Sequence, residues 1–190
     1  RQDKLDTISA TLGIDALSTS ITAAIIGILI VMLIMLVRYR MCGLVADWAL
    51  CVYIILLFLF IAVVPGIQLT LPGIAGIILG IGMAVDANVL VFERIREELK
   101  SGKSLMNAVD YGYQKAFSAV FDANLTTLIT SIILMSVGTG AIKGFAVTLS
   151  IGILTSLFTA LFVTRLIFDY LFRYTRLSAL PMMQFFKKTE

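Results

Sequence analysis

The 190-residue sequence has no histidine, only two cysteines, three prolines and one tryptophan, and 14% of its side chains are charged. Each scarcity excludes something. With no histidine, no Cys-x-x-Cys pair and no carboxylate cluster at ligand spacing, a transition-metal centre is not expected, and a Ser/His/Asp triad cannot be assembled. The phosphate-cradling pattern Gly-x-x-x-x-Gly-Lys-Ser/Thr is missing too, and no cofactor is expected. Cys42 and Cys51 stand nine residues apart, which on one helix turns them about 180° from each other, so they read as small apolar residues that cannot bridge within it. The shortage of charge says most, because soluble domains carry roughly 25%.

Apolar residues take the place of charge. They make up 59% of the chain and raise the mean hydropathy to +1.01. A hydrocarbon core of about 30 Å takes about 20 helical residues to cross, and runs of that size lie at 20–37, 46–64, 73–92, 119–137 and 145–168. The fold class expected is an all-α integral membrane protein with five transmembrane helices, an extracytoplasmic lead-in at 1–17 and a cytoplasmic tail at 173–190. The first run lies behind a polar segment without a basic n-region or cleavage site, so it is not a signal peptide. The missing start Met and the odd number of helices lead us to expect part of a larger protein.

Lys and Arg set the orientation. Arg38 and Arg40, then Arg94, Arg96, Lys100, Lys103 and Lys115, then Arg173, Arg176, Lys187 and Lys188 mark three cytoplasmic segments. The outer side keeps Arg1, Lys4, Lys143 and the uncharged turn 65–72, where Pro65-Gly66 reads as a turn and Pro72 as a first helical residue. The net charge of +3 therefore reflects topology and contact with anionic membrane lipids, not nucleic acid.

Between the third and fourth runs, 93–99 is expected to prolong helix three with i,i+4 Arg/Glu neighbours, and Ser101-Gly102 to end it. Leu105, Ala108, Val109, Tyr113, Ala116 and Phe117 then recur at helical spacing. They predict a cytoplasmic interfacial amphipathic helix at about 104–118, which serves as a plain linker or passes a movement of helix three to helix four.

The polar residues inside the apolar runs are the candidate site. Asp86 lies seven residues before Glu93, on the order of 10 Å inside the boundary, where an Asp costs about 2.5–3.5 kcal/mol to insert. Desolvation opposes the charged form of such a carboxyl, while a cation or donated hydrogen bonds favour it. A carboxyl held between these pulls can load a proton on one side and release it on the other. A structural carboxyl tied to a neighbouring helix is the plainer account. Ala75, Gly82 and Asp86 fall within about 40° of one another, and Gly76, Gly80, Ala84 and Asn88 form a second stripe at i,i+4. Small residues of this kind let helices approach, and a packed interior position is expected for Asp86.

"FDANLT" (121–126) nearly repeats the motif. Asp122 sits there with Asn124, Thr126, Thr127, Thr130 and Ser131; it is either a second polar partner or a charge favoured near the start of helix four by the helix dipole. Thr148, Gly152, Thr155, Ser156 and Thr159 share one face of helix five, expected to meet the helix carrying Asp86 or Asp122. The glycine-rich stretch 137–146 reads as a tight outer turn.

Four stretches together, "LPGIAGIIL" (71–79), "GMAVDANVLVFERIREEL" (82–99), "GYQKAFSAVFDANLTT" (112–127) and "GTGAIKGFA" (138–146), resemble the SecD members of the SecDF protein-export family, itself similar to the resistance-nodulation-division transporters. The resemblance implies the carboxy-terminal membrane half, helices two to six of six, forming half of a pseudo-symmetric transporter-like bundle. It implies Asp86 as proton-relay carboxyl with Asn88 beside it and Asp122 supporting, and Asn124, Thr126, Thr127, Thr155 and Thr159 as further polar positions. Implied partners are SecF, the SecYEG translocon, a preprotein held by an outer domain this chain lacks, and membrane lipids, in the bacterial cytoplasmic membrane. The implied activity couples proton or sodium motive force to polypeptide translocation, with no covalent reaction.

Three rivals compete. An intramembrane aspartyl protease needs Asp directly after the second Gly of Gly-x-Gly-Asp, whereas Met83, Ala84 and Val85 separate Gly82 from Asp86. A small-molecule or lipid exporter of the related superfamily uses the same proton logic. A passive translocon scaffold makes Asp86 structural.

Overall fold

Arg40 adopts φ 47, the only positive φ outside glycine among the described residues, and with that single residue it turns the chain from α1 (Gln2–Tyr39) into α2 (Met41–Val63). The hairpin closes so tightly that a Cβ on Gly43 would collide with the Met35 carbonyl. A computed structural model of the chain describes residues 2–64 and 70–175, and the rest of the fold follows as α3 (Leu71–Lys100), α4 (Leu105–Val137), α5 (Ala141–Phe158), a π-helical turn (Thr159–Val163) and α6 (Thr164–Thr175). Five helices are long and apolar enough to cross a membrane, the fifth running unbroken through α5, the π-turn and into α6.

The local signals explain most boundaries. Thr70 caps α3 by accepting the Gly73 N–H at 3.2 Å, and Pro72 stands in the first turn, where its missing N–H costs nothing. Ser101 and Gly102, the latter at φ 86, end α3. The Pro65-Gly66 turn and residues 176–190 of the tail lie outside the described residues.

Lipid tails are as apolar as leucine, so helices in a membrane are held by close packing and hydrogen bonds rather than by hydrophobic burial. That places α3 and α5 at the centre, side by side and parallel. Gly76 faces Thr148, and Gly80 faces Gly152 with the backbones almost touching. Thr148 Oγ1 donates to the Gly73 carbonyl at 3.0 Å, and Ser131 and Ser150 join α4 to α5 at 2.8 Å. At the end of the bundle where α1 turns into α2, an aromatic row, Tyr39, Phe92, Phe168 and Tyr113, links α1, α3, α6 and α4 with ring centroids 5.8, 5.9 and 6.4 Å apart.

Two expectations need correction, while the lead-in is seen to be helical from Gln2. Residues 104–118 do not form a separate helix along the inner surface: from Leu105 they run into the membrane as one 33-residue α4, about 50 Å long, because nothing at 117–119 breaks the helix. The surface pairs on α3 close at i,i+3, Arg94 with Glu97 and Arg96 with Glu93.

Candidate functional site

α3 presents two faces. Gly76, Gly80, Ala84 and Asn88 are buried, and Gly76 and Gly80 lie against α5. Ala75, Gly82 and Asp86 are exposed, and a Cβ on Gly82 would meet nothing within 4 Å. The packed interior position expected for Asp86 is thus not found within this chain, because α5 takes the other small-residue stripe. Among the described residues Asp86 has no hydrogen-bond or ion-pair partner.

Asp122 is exposed too, and it stands well inside α4, 17 residues after Leu105. A helix dipole acts within the first turn, so the dipole account of this carboxylate fails. α3 and α4 are antiparallel, and Gly112 lies hard against Ile95 while Val120 clusters with Ala87. One residue further along each helix, Asp86 comes level with Phe121 and therefore beside the depth of Asp122. The two carboxylates share one layer of the membrane on neighbouring helices.

The amides and hydroxyls are placed differently. Asn124 is buried and donates Nδ2 to the Val120 carbonyl at 2.7 Å. Thr126 donates to the Asp122 carbonyl at 2.9 Å and Thr127 to that of Ala123 at 3.2 Å. Thr155 and Thr159, both buried, donate to the Ile151 and Thr155 carbonyls at 2.7 Å each. Each of these hydroxyl protons is held by a backbone carbonyl of its own helix, and none is given to the carboxylate of Asp86 or Asp122.

Asn88 is the polar residue the fold grips. It is 2% exposed and its Oδ1 accepts from Thr164 Oγ1 at 2.9 Å, while the same hydroxyl lies 3.0 Å from the Thr159 carbonyl. Sequence reading missed Thr164, because the π-turn between Thr159 and Thr164 re-phases the helix; π-turns are rare and concentrate at functional sites. Two further carboxylates escaped as well. Glu98, its side chain 5% exposed, is enclosed at the molecule's edge by Lys103 and Lys115, whose Nζ atoms lie 2.5 Å from its two oxygens. Asp47, in α2, carries the same signal as Asp86, a lone acid in an apolar run.

A helical hairpin with paired intramembrane carboxylates, central to a bundle of this shape, invites comparison with known proteins. The sequence matches the family described as protein export membrane protein SecD/SecF, C-terminal, over residues 1–173. The chain belongs to this family. Among curated SecD/SecF relatives, it is 54% identical to protein translocase subunit SecD of Desulfurispirillum indicum over 88% of this chain and 32% of the relative. It is 48% identical to the subunit of the same name from Escherichia coli K12 over 93% of this chain and 29% of the relative. The fold matches the crystal structure of SecDF, a translocon-associated membrane protein from Thermus thermophilus, with a TM-score of 0.81 and 39% identity over 86% of this chain and 23% of that one. The chain spans about a third of the length of the curated relatives it matches.

Proposed function

We propose that this chain is the membrane-embedded part of a SecD-type subunit that couples proton or sodium motive force to polypeptide translocation across the bacterial cytoplasmic membrane. Its partners in that reading are SecF, the SecYEG translocon and a preprotein gripped by a domain outside this chain. The role is a transport step without covalent chemistry. The observation that carries it is Asp86: an unpartnered carboxylate about 10 Å inside the membrane, exposed on a face of small residues and level with Asp122.

Such a face is built to meet another helix bundle closely, and the charge on Asp86 decides how well it meets it. Ionised, the carboxylate demands a cation or donors from the opposing half; neutral, it tolerates an apolar contact. One charge crossing 100 mV supplies about 2.3 kcal/mol, comparable to the cost of holding the ion there, and a bias of a few kcal/mol is enough to shift a two-state population. Glu98 with its two lysines and the Gly112–Ile95 contact fasten α3 to α4, and the Thr164–Asn88 bond fastens α3 to α6. A displacement of α3 driven at Asp86 therefore carries its neighbours with it.

The deciding experiment is secretion of a reporter, driven by membrane potential, in cells whose full-length protein carries Asp86→Asn at normal abundance. Export is expected to collapse while the complex still assembles. Normal export would make Asp86 structural and the protein a translocon scaffold.

A further inference from the structure

A pocket of about 630 Å³ opens between α4 and the segment made of the π-turn and α6, and its two ends differ in chemistry. One end holds the polar groups of Tyr113, Gln114, Arg165 and Asp169, and the other is walled by Phe117, Leu161, Phe162 and Leu166. The ends differ in depth as well. Phe168 meets both Phe92 and Tyr113, so Tyr113, Gln114 and Asp169 stand level with Glu93, the first charge beyond the apolar run 73–92. Leu161 and Phe162 come about 10 Å deeper along the helix. Arg165 starts about 6 Å below Asp169 and reaches back toward the boundary, where it donates to Asp110 at 3.2 Å. Phe117, Phe162 and Leu166 are exposed, so the apolar end opens on the outside of the bundle.

The polar end is left with unused bonding capacity. Arginine carries five N–H donors, and Arg165 places one of them on Asp110. Asp169, one turn after Arg165, has no hydrogen-bond or ion-pair partner among the described residues, and neither has the Gln114 side chain. On the wall behind them the Tyr113 hydroxyl is buried without a partner. Spare N–H groups call for an acceptor and the carboxylate calls for a cation, both at the depth of the boundary and directly above an apolar slot.

We propose that this pocket binds a zwitterionic phospholipid with a primary ammonium headgroup, of the phosphatidylethanolamine class. Its phosphate accepts from Arg165 and the Gln114 amide, its ammonium donates to Asp169 across the short ethyl link, and one acyl chain lies against Phe117 and Phe162. The charges make the choice of headgroup. An acidic lipid would meet Asp169 with Asp110 at the rim, and like charges in contact are unfavourable. A choline headgroup has no N–H to give Asp169. A lysine or arginine from a neighbouring helix would neutralise Asp169 but leave the donors of Arg165 unfilled. The site goes beyond the lipid contact expected of the basic segments, which would favour acidic headgroups. It contains neither Asp86 nor Asp122, and so stands whether or not Asp86 couples ion movement to export.

For the test, the full-length protein is stripped of lipid in detergent and titrated with phosphatidylethanolamine, phosphatidylcholine and phosphatidylglycerol of one chain composition, bound lipid being counted by native mass spectrometry. The tightest binding step is expected to favour phosphatidylethanolamine about tenfold over the other two, a factor equal to about 1.4 kcal/mol. Asp169→Asn should abolish the preference over phosphatidylcholine, and Arg165→Gln should weaken phosphatidylethanolamine binding about tenfold. Both side chains are exposed, so the variants are expected to fold, and either one alone decides. In native membranes, p-benzoylphenylalanine in place of Phe117 should capture lipid on irradiation. Phosphatidylglycerol bound as tightly as phosphatidylethanolamine, a preference indifferent to the substitutions, or capture of a protein segment at Phe117 would overturn the proposal.

Discussion

Two of the acids on α3, Asp86 and Glu98, stand twelve residues apart, and the fold treats them in opposite ways. Glu98 sits at the aqueous end of the helix, where water could have solvated it, yet it is walled in by two lysines at 2.5 Å. Asp86 sits where water is scarce and has no counter-ion among the described residues. In the reading proposed above, the tied acid is structural and the untied one is the coupling group, a contrast of placement and pairing rather than of burial alone.

The contrast is broken most severely by Asp86→Asn, expected to abolish export that depends on membrane potential, with Asp86→Glu retaining part of it; a reporter-secretion assay measures both. Next, Gly112→Ala places a Cβ 2.6–2.8 Å from Ile95 atoms. Overpacking of this kind costs typically about 1–3 kcal/mol, and the loss should appear as a lower unfolding midpoint in detergent. Glu98→Gln leaves Lys103 and Lys115 facing a neutral group. It should open the α3–α4 connection, read as several-fold faster protease cleavage at 101–104, while export falls only partly. The smallest effect belongs to Thr164→Val, which removes a hydroxyl but keeps the shape; interhelical hydrogen bonds in membranes average about 0.6 kcal/mol, so a small stability loss is expected. Its export defect should be far milder than that of Asp86→Asn.

Much of this was legible before any coordinates. Hydropathy located the five spans, Ser101-Gly102 marked the end of α3, and the Thr/Gly stripe of α5 announced a packing face. What stayed hidden has physical causes. The helical wheel of α3 shows two small-residue stripes, and only the position of α5 decides which one is covered, so Asp86 could not be assigned to a surface from its own helix. The continuity of α4 was obscured because amphipathic and apolar stretches read as different elements even where no breaker separates them. Asp47 lies second in the apolar run 46–64, where the sequence alone does not tell it from an end charge, although it is nearly enclosed beside α1. Thr164 could not be placed at all by a period of 3.6, since five residues, not a regular turn, separate it from the Thr159 carbonyl it touches.

That single turn has a consequence for how length is tolerated here. The π-turn inserts one residue into an otherwise continuous span, and so works as a phase shifter: α5 offers Thr and Gly to α3 above it, while α6 offers Phe168 to Phe92 and Tyr113 below it. Winding the same residues as ordinary α-helix, without the wide turn, would swing α6 by about 100° and turn Phe168 out of the aromatic row with the composition unchanged, whereas deleting one residue of 159–163 would restore ordinary winding and leave Phe168 in the row. In this part of the chain, the number of residues carries as much instruction as their identity.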